Sequence, residues 1–214
     1  MSEQQTPAPQ HEKRRRSRAP LIVAAVVVLA VVAAASAFLL TRPGTDGAAD
    51  AERLAVGVIL EPTSLDVRSN TGVATGQLLI DNVYQGLVGI EAGTVSEIVP
   101  VLAAGMPEVS EDGRVYTFTL REGVRFHSGN PMTADDVVDS LTETLTPDNV
   151  GFAPEISKVD GRTVEIALAE PSNQLLWQLA NFPGLVRERA ATNDIANSAN
   201  GTGPYRFERW ERGD

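Results

Sequence analysis

Few side chains in this 214-residue sequence have the types and spacing that chemistry would need. His11 lies in a polar N-terminal stretch, and His127 follows a predicted strand and turn with no second His or Cys at metal-ligand spacing. Asp135 and Asp136 could form an acid–base pair, but neighbouring residues of a helix point about 100° apart. A helix N-terminus explains two adjacent aspartates without catalysis. We therefore predict no catalytic residue and no metal site.

Motifs for nucleophilic catalysis and phosphate binding do not occur either. No serine stands in a Gly-x-Ser-x-Gly or Ser-x-x-Lys motif. Gly201-Thr202-Gly203 resembles part of a phosphate loop, but Pro204 follows it and the Lys-Ser/Thr of a P-loop is missing. The absence of cysteine excludes disulfides, thiolate ligands, cysteine nucleophiles and a lipid-bearing N-terminal cysteine. We predict a protein that is not an enzyme and needs no cofactor; a hydrolase is the weaker alternative, with no nucleophile–base arrangement to support it.

The charge of the chain is divided between a basic leader and an acidic body. Residues 1–42 carry six Lys or Arg against two Glu, a formal charge of +4. Residues 43–214 carry 12 basic and 26 acidic side chains, a formal charge of −14. Because an acidic surface repels phosphate backbones, we expect no nucleic-acid partner for the body.

The leader predicts the compartment. Residues 1–20 are polar and lack apolar periodicity, which predicts a disordered cytoplasmic tail. Leu21–Leu40 is an uncharged apolar run, and a helix of that length covers about 30 Å, the thickness of a bilayer's hydrocarbon core. Since the basic cluster Lys13–Arg18 precedes it, we expect a transmembrane helix, then a flexible tether over residues 41–52 and an extracytoplasmic body. The alternative is a signal peptide cleaved at Ala35-Ser36-Ala37, which would release a secreted body.

Residues 53–214 predict a mixed α/β (α+β) domain, because strands alternate with helices and two hairpins lie among them. Asp112-Gly113 and Asp160-Gly161 each predict a hairpin, since Asp-Gly supplies the positive φ of a type I′ turn. Asp135 and Asp136 follow a predicted N-cap at Thr133. The predicted elements in chain order are a strand over Arg53–Leu60, a helix over Gln77–Leu87, strands over Glu108–Ser110 and Val115–Leu120, a helix from Thr133 to before Pro147 with Val137, Val138, Leu141 and Leu145 buried, strands over Ile156–Val159 and Thr163–Leu168, and a helix from Ser172 to before Pro183.

A resemblance to a known family runs along the body. Asp112–Gly129 (DGRVYTFTLREGVRFHSG) continues into Pro131–Val138 (PMTADDVV), and this stretch resembles the extracytoplasmic solute-binding proteins, family 5, of ABC importers, the oligopeptide-, dipeptide- and nickel-binding group. Four shorter blocks match that family in the same order: Pro62–Asp66, Val83–Val88, Pro100–Ala103 and Gly201–Tyr205.

The resemblance implies a two-lobed, periplasmic-binding-protein-like fold that closes on its solute by a hinge. Members are generally more than twice as long as this body, so we expect an incomplete first lobe over residues 53–214 and no second lobe. The resemblance also implies that the loop formed by Ser69, Asn70, Thr71, Gly72 and Val73 lines the cleft. There its backbone would pair with an extended ligand by strand addition. A polar surface loop is the alternative interpretation of those five residues.

The implied function is the N-terminal portion of the substrate-binding component of an ABC-type importer. Its partners would be a small peptide, or another small solute such as a nickel chelate or a sugar, and the ABC permease subunits in the membrane. The alternative is a membrane-tethered interaction module without a transport role. Coding sequence for a second lobe after codon 214 would favour the first hypothesis, whereas a genuine stop and a copurifying partner would favour the second.

We also expect Arg53–Leu60 and Tyr205–Trp210 to be neighbours in a sheet whose other strands come from later sequence. The isolated body would then expose a sheet edge and apolar surface, and should aggregate or bind a hydrophobic dye. A sharp, cooperative melt of a soluble monomer would argue against this expectation.

Overall fold

The computed structural model describes residues 56–69, 71–191 and 194–213. Contacts divide the chain into Met1–Val56 and Gly57–Asp214, and the described residues after Val56 belong to the second unit. The predicted tail over 1–20, the transmembrane helix over 21–40 and the tether over 41–52 lie outside the described residues. Within the described ranges, no helix has both the length and the apolar character that crossing a bilayer requires.

Helices and two antiparallel sheets alternate along the described chain. Strands β1 and β2 pair with each other, and the other four strands form a sheet in the order β3-β4-β6-β5. In chain order the elements are α1 (Val73–Leu79), β1 (Val88–Ile90), β2 (Ile98–Pro100), β3 (Glu108–Val109), β4 (Val115–Thr119), α2 (Ala134–Thr144), α3 (Pro147–Val150), β5 (Glu155–Lys158), β6 (Thr163–Ala167), α4 (Leu175–Leu179) and a 3₁₀ turn (Phe182–Gly184).

The four-stranded sheet follows from residue alternation in its two central strands. In β4, Tyr116 and Phe118 are buried, and they lie opposite Ile166 and Val164 of β6, which are buried as well. Intervening residues such as Thr117 are partly exposed, as period-two alternation predicts for a sheet with one covered face. These side chains pack into the main core together with residues of α2 and α4.

Both predicted hairpins are present, but their type I′ turns are wrong. A type I′ turn needs positive φ at both central residues. Gly113 has φ 71°, whereas Asp112, Asp160 and Gly161 have no positive φ. Each aspartate side chain instead accepts a backbone N–H two residues on: Asp112 from Arg114 at 3.3 Å, and Asp160 from that of Arg162 at 2.8 Å. The Asp-Gly pairs therefore turn the chain through side-chain hydrogen bonds to the backbone.

Helix α2 begins as predicted, with a capping box at Thr133. The carboxylate of Asp136 accepts hydrogen bonds from the Thr133 backbone N–H at 2.9 Å and from its hydroxyl at 2.6 Å. Val137 and Leu141 are fully buried in the core, Val138 is partly buried, and Leu145 caps the C-terminal end. Pro147 begins the short helix α3, because proline fits the first turn of a helix where no N–H is needed.

Two predicted helix ranges are wrong. Helix α1 covers Val73–Leu79 rather than Gln77–Leu87, and Asp81, with φ 59°, turns the chain after it. The apolar side chains chosen for the predicted face are nonetheless buried (Leu79, Val83, Tyr84 and Leu87). Helix α4 begins at Leu175 rather than Ser172, because the Ser172 hydroxyl accepts the Gln174 N–H in a local turn.

The predicted pairing of residues 53–60 with Tyr205–Trp210 in a sheet is wrong for the described residues. Neither Val56–Leu60 nor Tyr205–Trp210 forms a strand, since no described segment supplies a ladder of hydrogen bonds to either. A side-chain contact connects the two regions instead. The Glu61 carboxylate accepts hydrogen bonds from Trp210 Nε1 and from the Gly213 N–H, both at 3.1 Å.

A smaller core lies beside the main one and depends on a close backbone approach. The segment after Gly201 runs against residues 82–84, where the Gly203 N–H donates to the Val83 carbonyl at 2.9 Å. A Cβ placed on Gly201 would stand 1.9 Å from Val83 O, and one on Gly203 would stand 2.4 Å from Asn82 O. Only glycine fits at either position. The smaller core comprises Leu65, Val67, Leu79, Val83, Tyr84, Leu185 and Ala199.

Candidate functional site: a charged cleft

A buried polar stripe on α2 positions one wall of the candidate site. Asp136, Ser140 and Thr144 are spaced four residues apart, which places them on one helix face, and all three are buried. Asp136 Oδ1 accepts the Arg189 N–H at 3.0 Å, and Ser140 Oγ accepts the Arg187 N–H at 2.9 Å. Thr144 Oγ1 donates to the Pro183 carbonyl at 2.6 Å. The stripe thus fixes the chain from residue 183 to 189 along the helix.

Three arginines and their carboxylate partners line this wall. Arg68 donates to Asp66 at 2.8 Å and to Glu143 at 2.7 Å. Arg187 contacts the second oxygen of the Glu143 carboxylate, so that one acid joins two guanidinium groups.

The third arginine is paired more loosely. The Arg189 Nε lies 3.7 Å from the nearer carboxylate oxygen of Asp139, and both side chains are about half exposed. At that distance and exposure, an ion pair contributes little to stability. Arg189 is therefore the most available positive charge of the three.

The pKa values of Asp66, Arg68 and Tyr84 are shifted from their ordinary values. The Arg68 guanidinium holds the pKa of Asp66 below its ordinary value through side-chain hydrogen bonds, which outweigh the opposing effect of burial. The same pairing raises the pKa of Arg68. Burial raises the pKa of the Tyr84 hydroxyl. Asp66 and Arg68 therefore stay charged over the whole neutral range.

Glu188 lies at the back of the site, buried between two asparagines. Burial disfavours its charge, but hydrogen bonds from Asn130, Ser128 and Asn200 keep its pKa below the ordinary value. Asn130 Nδ2 donates to one carboxylate oxygen at 2.5 Å, and Asn200 contacts the other. Glu188 is thus a charged residue that connects three loops.

Three adjoining cavities form what we call the charged cleft. A cavity of about 290 Å³ is lined by Arg68, Tyr84, Asp139, Glu143, Arg187, Glu188, Arg189, Ala191, Ile195 and Asn200. Asp139, Glu143 and Arg189 also line a neighbouring cavity of about 520 Å³ on the outer face of α2. Arg68 also lines a third, of about 260 Å³, with Thr71 and Phe182. The charged cleft can bind a small polar solute, because it offers both charges and several hydrogen-bonding groups.

The predicted binding loop lies at the edge of the charged cleft. Ser69, Thr71, Gly72 and Val73 are exposed, while Asn70 is outside the described residues. Thr71 lines the third cavity beside Arg68, and Val73 is the first residue of α1. Whether the loop binds a ligand stays a prediction.

Sequence reasoning missed the arginines and carboxylates of the cleft. The four-residue spacing of Asp136, Ser140 and Thr144 inside an amphipathic helix was the available signal, because polar residues on a core-facing stripe need partners. The sequence around α2 does not indicate that those partners lie in residues 183–189.

The residues first considered for chemistry have structural contacts. One ring nitrogen of His127 lies 2.8 Å from the Gly203 carbonyl oxygen. Asp135 pairs with Lys158 at 2.7 Å, and Asp136 caps α2. Among the residues that the structure describes, no three His, Cys, Asp or Glu side chains come together as a metal site would require.

The fold agrees with comparisons to known proteins. Residues 97–214 match the bacterial extracellular solute-binding proteins, family 5 (middle region). The chain belongs to this family, and the predicted resemblance is confirmed. Members of the family bind solutes and are not enzymes, which also confirms the prediction of a non-catalytic protein.

Individual relatives are about a quarter to a third identical to this chain over the aligned residues. Protein XP55 of Streptomyces lividans is 33% identical over 180 residues, covering 78% of this chain and 32% of that protein. The glutathione-binding protein GsiB of Salmonella typhi is 34% identical over 149 residues, covering 64% of this chain and 28% of that protein. Di/tripeptide-binding protein 4 of Pseudomonas aeruginosa is 28% identical, covering 78% and 37%. The chain thus spans about a third of the length of these relatives.

Solved structures show the same mixed α/β, periplasmic-binding-protein-like fold. AgaA from A. tumefaciens R10, in complex with agropinic acid, has a TM-score of 0.62 at 29% identity, covering 72% of this chain and 32% of that one. DppA from Helicobacter pylori, in complex with the peptide STSA, has a TM-score of 0.60 at 26% identity, covering 71% and 35%. The predicted fold class is confirmed at this level.

Proposed function

We propose that residues 53–214 form the first lobe of the substrate-binding component of an ABC-type importer for short peptides. The observation that carries this proposal is the charged cleft on a family 5 fold, with the loop over Ser69–Val73 at its edge. Charged and polar groups of this kind suit a zwitterionic backbone better than a neutral sugar. Relatives whose names state di/tripeptide or glutathione binding support a peptide-like solute.

In this proposal the loop Ser69–Val73 binds the peptide through its backbone. Gly72 has φ −65° and ψ 150°, an extended conformation that can pair with a strand-like ligand. The exposed position of Ser69, Thr71 and Val73 leaves room for such a ligand.

A substitution that removes a backbone donor tests the loop. Val73→Pro fits the first helical position of α1 but deletes the N–H, so we expect it to weaken peptide binding by about tenfold, the effect of one good hydrogen bond. Val73→Ala keeps the N–H and is the matched control. Affinities for a panel of dipeptides to pentapeptides would be measured by calorimetry on the 214-residue chain. Equal affinities of the two variants would contradict the binding role of the loop. If no peptide binds, the proposal that the solute is a short peptide is wrong.

The proposal places the cleft outside the cell, attached to a membrane anchor over Leu21–Leu40 with a cytoplasmic N-terminus. An uncharged run of 20 residues after a basic cluster supports this arrangement. The test is alkaline carbonate extraction of membranes from cells that express the chain. An anchored protein stays in the pellet, whereas a soluble product beginning after Ala37 would show cleavage instead.

The permease subunits of an ABC importer are the proposed protein partners. Copurification from detergent extracts after crosslinking in cells would check this. A chain that binds no peptide, yet copurifies with another envelope protein, would favour the non-transport interaction module.

A further inference from the structure

We propose that Arg189 binds the carboxylate of the imported solute and makes the charged cleft selective for solutes that carry one. This inference rests on the proposed function and names the chemical group that the cleft recognises. It starts from the unequal pairing of the three arginines that line the 290 Å³ cavity.

Arg189 is fixed at its backbone and loosely held at its tip. Its N–H donates to the buried Asp136 carboxylate at 3.0 Å, which fixes the start of the side chain. The Arg189 side chain is 62% exposed; its Nε lies 3.7 Å from the carboxylate of Asp139, whose side chain is 48% exposed. An incoming carboxylate can replace Asp139 at small cost, since exposed pairs of this kind are weak.

Arg68 and Arg187 line the same cavity but are held in close ion pairs with carboxylates of this chain. Arg68 is held between Asp66 and Glu143 at 2.8 and 2.7 Å, and Arg187 contacts Glu143 from the other side. Because Asp66 and Glu143 balance their charges, Arg189 is the arginine of this wall whose positive charge an incoming carboxylate would meet.

A buried donor in the same wall also favours an acceptor oxygen. In the part of the chain that the structure describes, Arg187 Nε is the buried side-chain nitrogen without a hydrogen-bond partner. A buried unpaired N–H is costly, and an oxygen that enters the cavity as the side chain adjusts would pair with it.

The chemistry of the guanidinium group selects a planar anion. Two parallel N–H groups of an arginine match the two oxygens of a carboxylate, whereas an amide offers one oxygen and no charge. A free peptide C-terminus fits this subsite, and so does any small carboxylic acid of similar size.

Two probes that differ only in the carboxylate test the proposal on the 214-residue chain. They are trialanine and trialanine amide, both with a free N-terminus, titrated by calorimetry or by NMR. We expect the acid to bind about tenfold more tightly than the amide, the usual gain from a charge-assisted hydrogen bond. Arg189→Gln should remove this difference by weakening the acid alone, and Arg189→Lys should restore part of it.

The control is Arg121→Gln, which removes the same charge from an exposed residue that lines none of the three cavities. It should change both affinities by less than about twofold, because distant surface charges are screened by salt. Equal binding of acid and amide, or an unchanged preference in Arg189→Gln, would overturn the subsite while leaving peptide binding intact. Absence of binding by both probes would overturn the subsite and the proposed function together.

Discussion

At the scale of single residues, the geometry of the charged cleft depends on which groups donate hydrogen bonds to each carboxylate. Glu143 accepts from two arginines, while both oxygens of Asp66 accept from the one guanidinium of Arg68. Asp136 is divided in a different way, because one oxygen caps α2 and the other holds the Arg189 N–H. These pairings hold Arg68, Arg187 and Arg189 in the wall of the charged cleft.

Asp66→Asn should destabilise the protein in a pH-dependent way. The pKa of Asp66 lies below its ordinary value of 3.8, so its contribution is present above pH 3.8 and is lost as the pH falls through the lower folded-state pKa. At pH 7 we expect the variant to lose about 2 kcal/mol of unfolding free energy, the size of a charged hydrogen bond. Urea unfolding followed by tryptophan fluorescence would measure it.

The difference between wild type and Asp66→Asn should narrow below pH 3.8, because the unfolded wild-type chain then takes up a proton at Asp66 more readily than the folded one does. Glu111→Gln is the control, since Glu111 is exposed. A difference between wild type and Asp66→Asn that is the same at pH 7 and pH 3 would contradict the prediction.

Local sequence predicts some of these residue roles and not others. The capping role of Asp136 could be predicted, because Thr133 and the following apolar stripe lie within a few residues of it. Its second role could not, since Arg189 lies 53 residues further along the chain. The same separation hides Arg187, whose N–H donates to Ser140 at a sequence distance of 47 residues.

At the scale of elements, α2 is the organising helix. Its apolar residues pack on the sheet, and its polar stripe binds the segment from Pro183 to Arg189. The helix therefore connects the core to the charged cleft. A substitution in its polar stripe should lower both the stability of the fold and the affinity of the charged cleft.

Ser140→Ala should cost about 1–3 kcal/mol of stability, because it leaves the buried Arg187 N–H without its acceptor. It should also weaken binding of a carboxylate probe, since the backbone that carries Arg187 and Arg189 is released. Ser157→Ala, at an exposed serine of β5 that lines none of the three cavities, is the matched control. Equal melting temperatures for the two variants would contradict the role of the stripe.

Phe118→Ala in β4 should destabilise the fold by about 3–5 kcal/mol, as expected for an aromatic side chain removed from a close-packed core. Phe118 is fully buried and faces Val164 across the sheet. Thr119→Ala, the exposed neighbour, should change the unfolding free energy by less than about 0.5 kcal/mol. Chemical unfolding of both variants would distinguish a core position from a surface position.

The elements show which sequence patterns can be trusted. Alternation of residues correctly predicted β4 and β6, because burying one face of a sheet imposes a period of two. The exact turn type was wrong, since an aspartate side chain can make the turn's hydrogen bonds without a positive φ. The predicted end of α1 at Leu87 was wrong because the helix stops before Ile80, and Asp81 then adopts a conformation that few non-glycine residues adopt.

At the scale of the whole molecule, the body combines strong negative charge with exposed apolar side chains. Ile59 is 91% exposed, Leu60 64% and Tyr205 56%. They lie in the two segments expected from sequence to form strands, which here have no ladder partner among the described residues. The predicted sheet pairing between the segments is wrong, and the hydrogen bond that joins these regions runs from Trp210 Nε1 to the neighbouring Glu61 carboxylate.

These apolar side chains predict that the protein binds a hydrophobic dye. Replacing Ile59 and Leu60 together by lysine should reduce dye fluorescence, because the substitutions remove much of the exposed apolar surface. Ser96→Lys, at an exposed polar position, is the control and should leave fluorescence unchanged. A wild-type protein that melts sharply as a monomer and binds no dye would contradict the prediction.

The tight approach of Gly201 and Gly203 to the backbone of residues 82–84 limits how this protein can diverge. If each codon were randomised in turn and the variants were selected for protease resistance, only glycine should be recovered at positions 201 and 203. Gly105 has no atom within 4 Å of a built Cβ, so it should tolerate alanine and serve as the internal reference. Substitutions would then accumulate on the acidic surface, whereas the two glycines that contact the neighbouring backbone would stay unchanged.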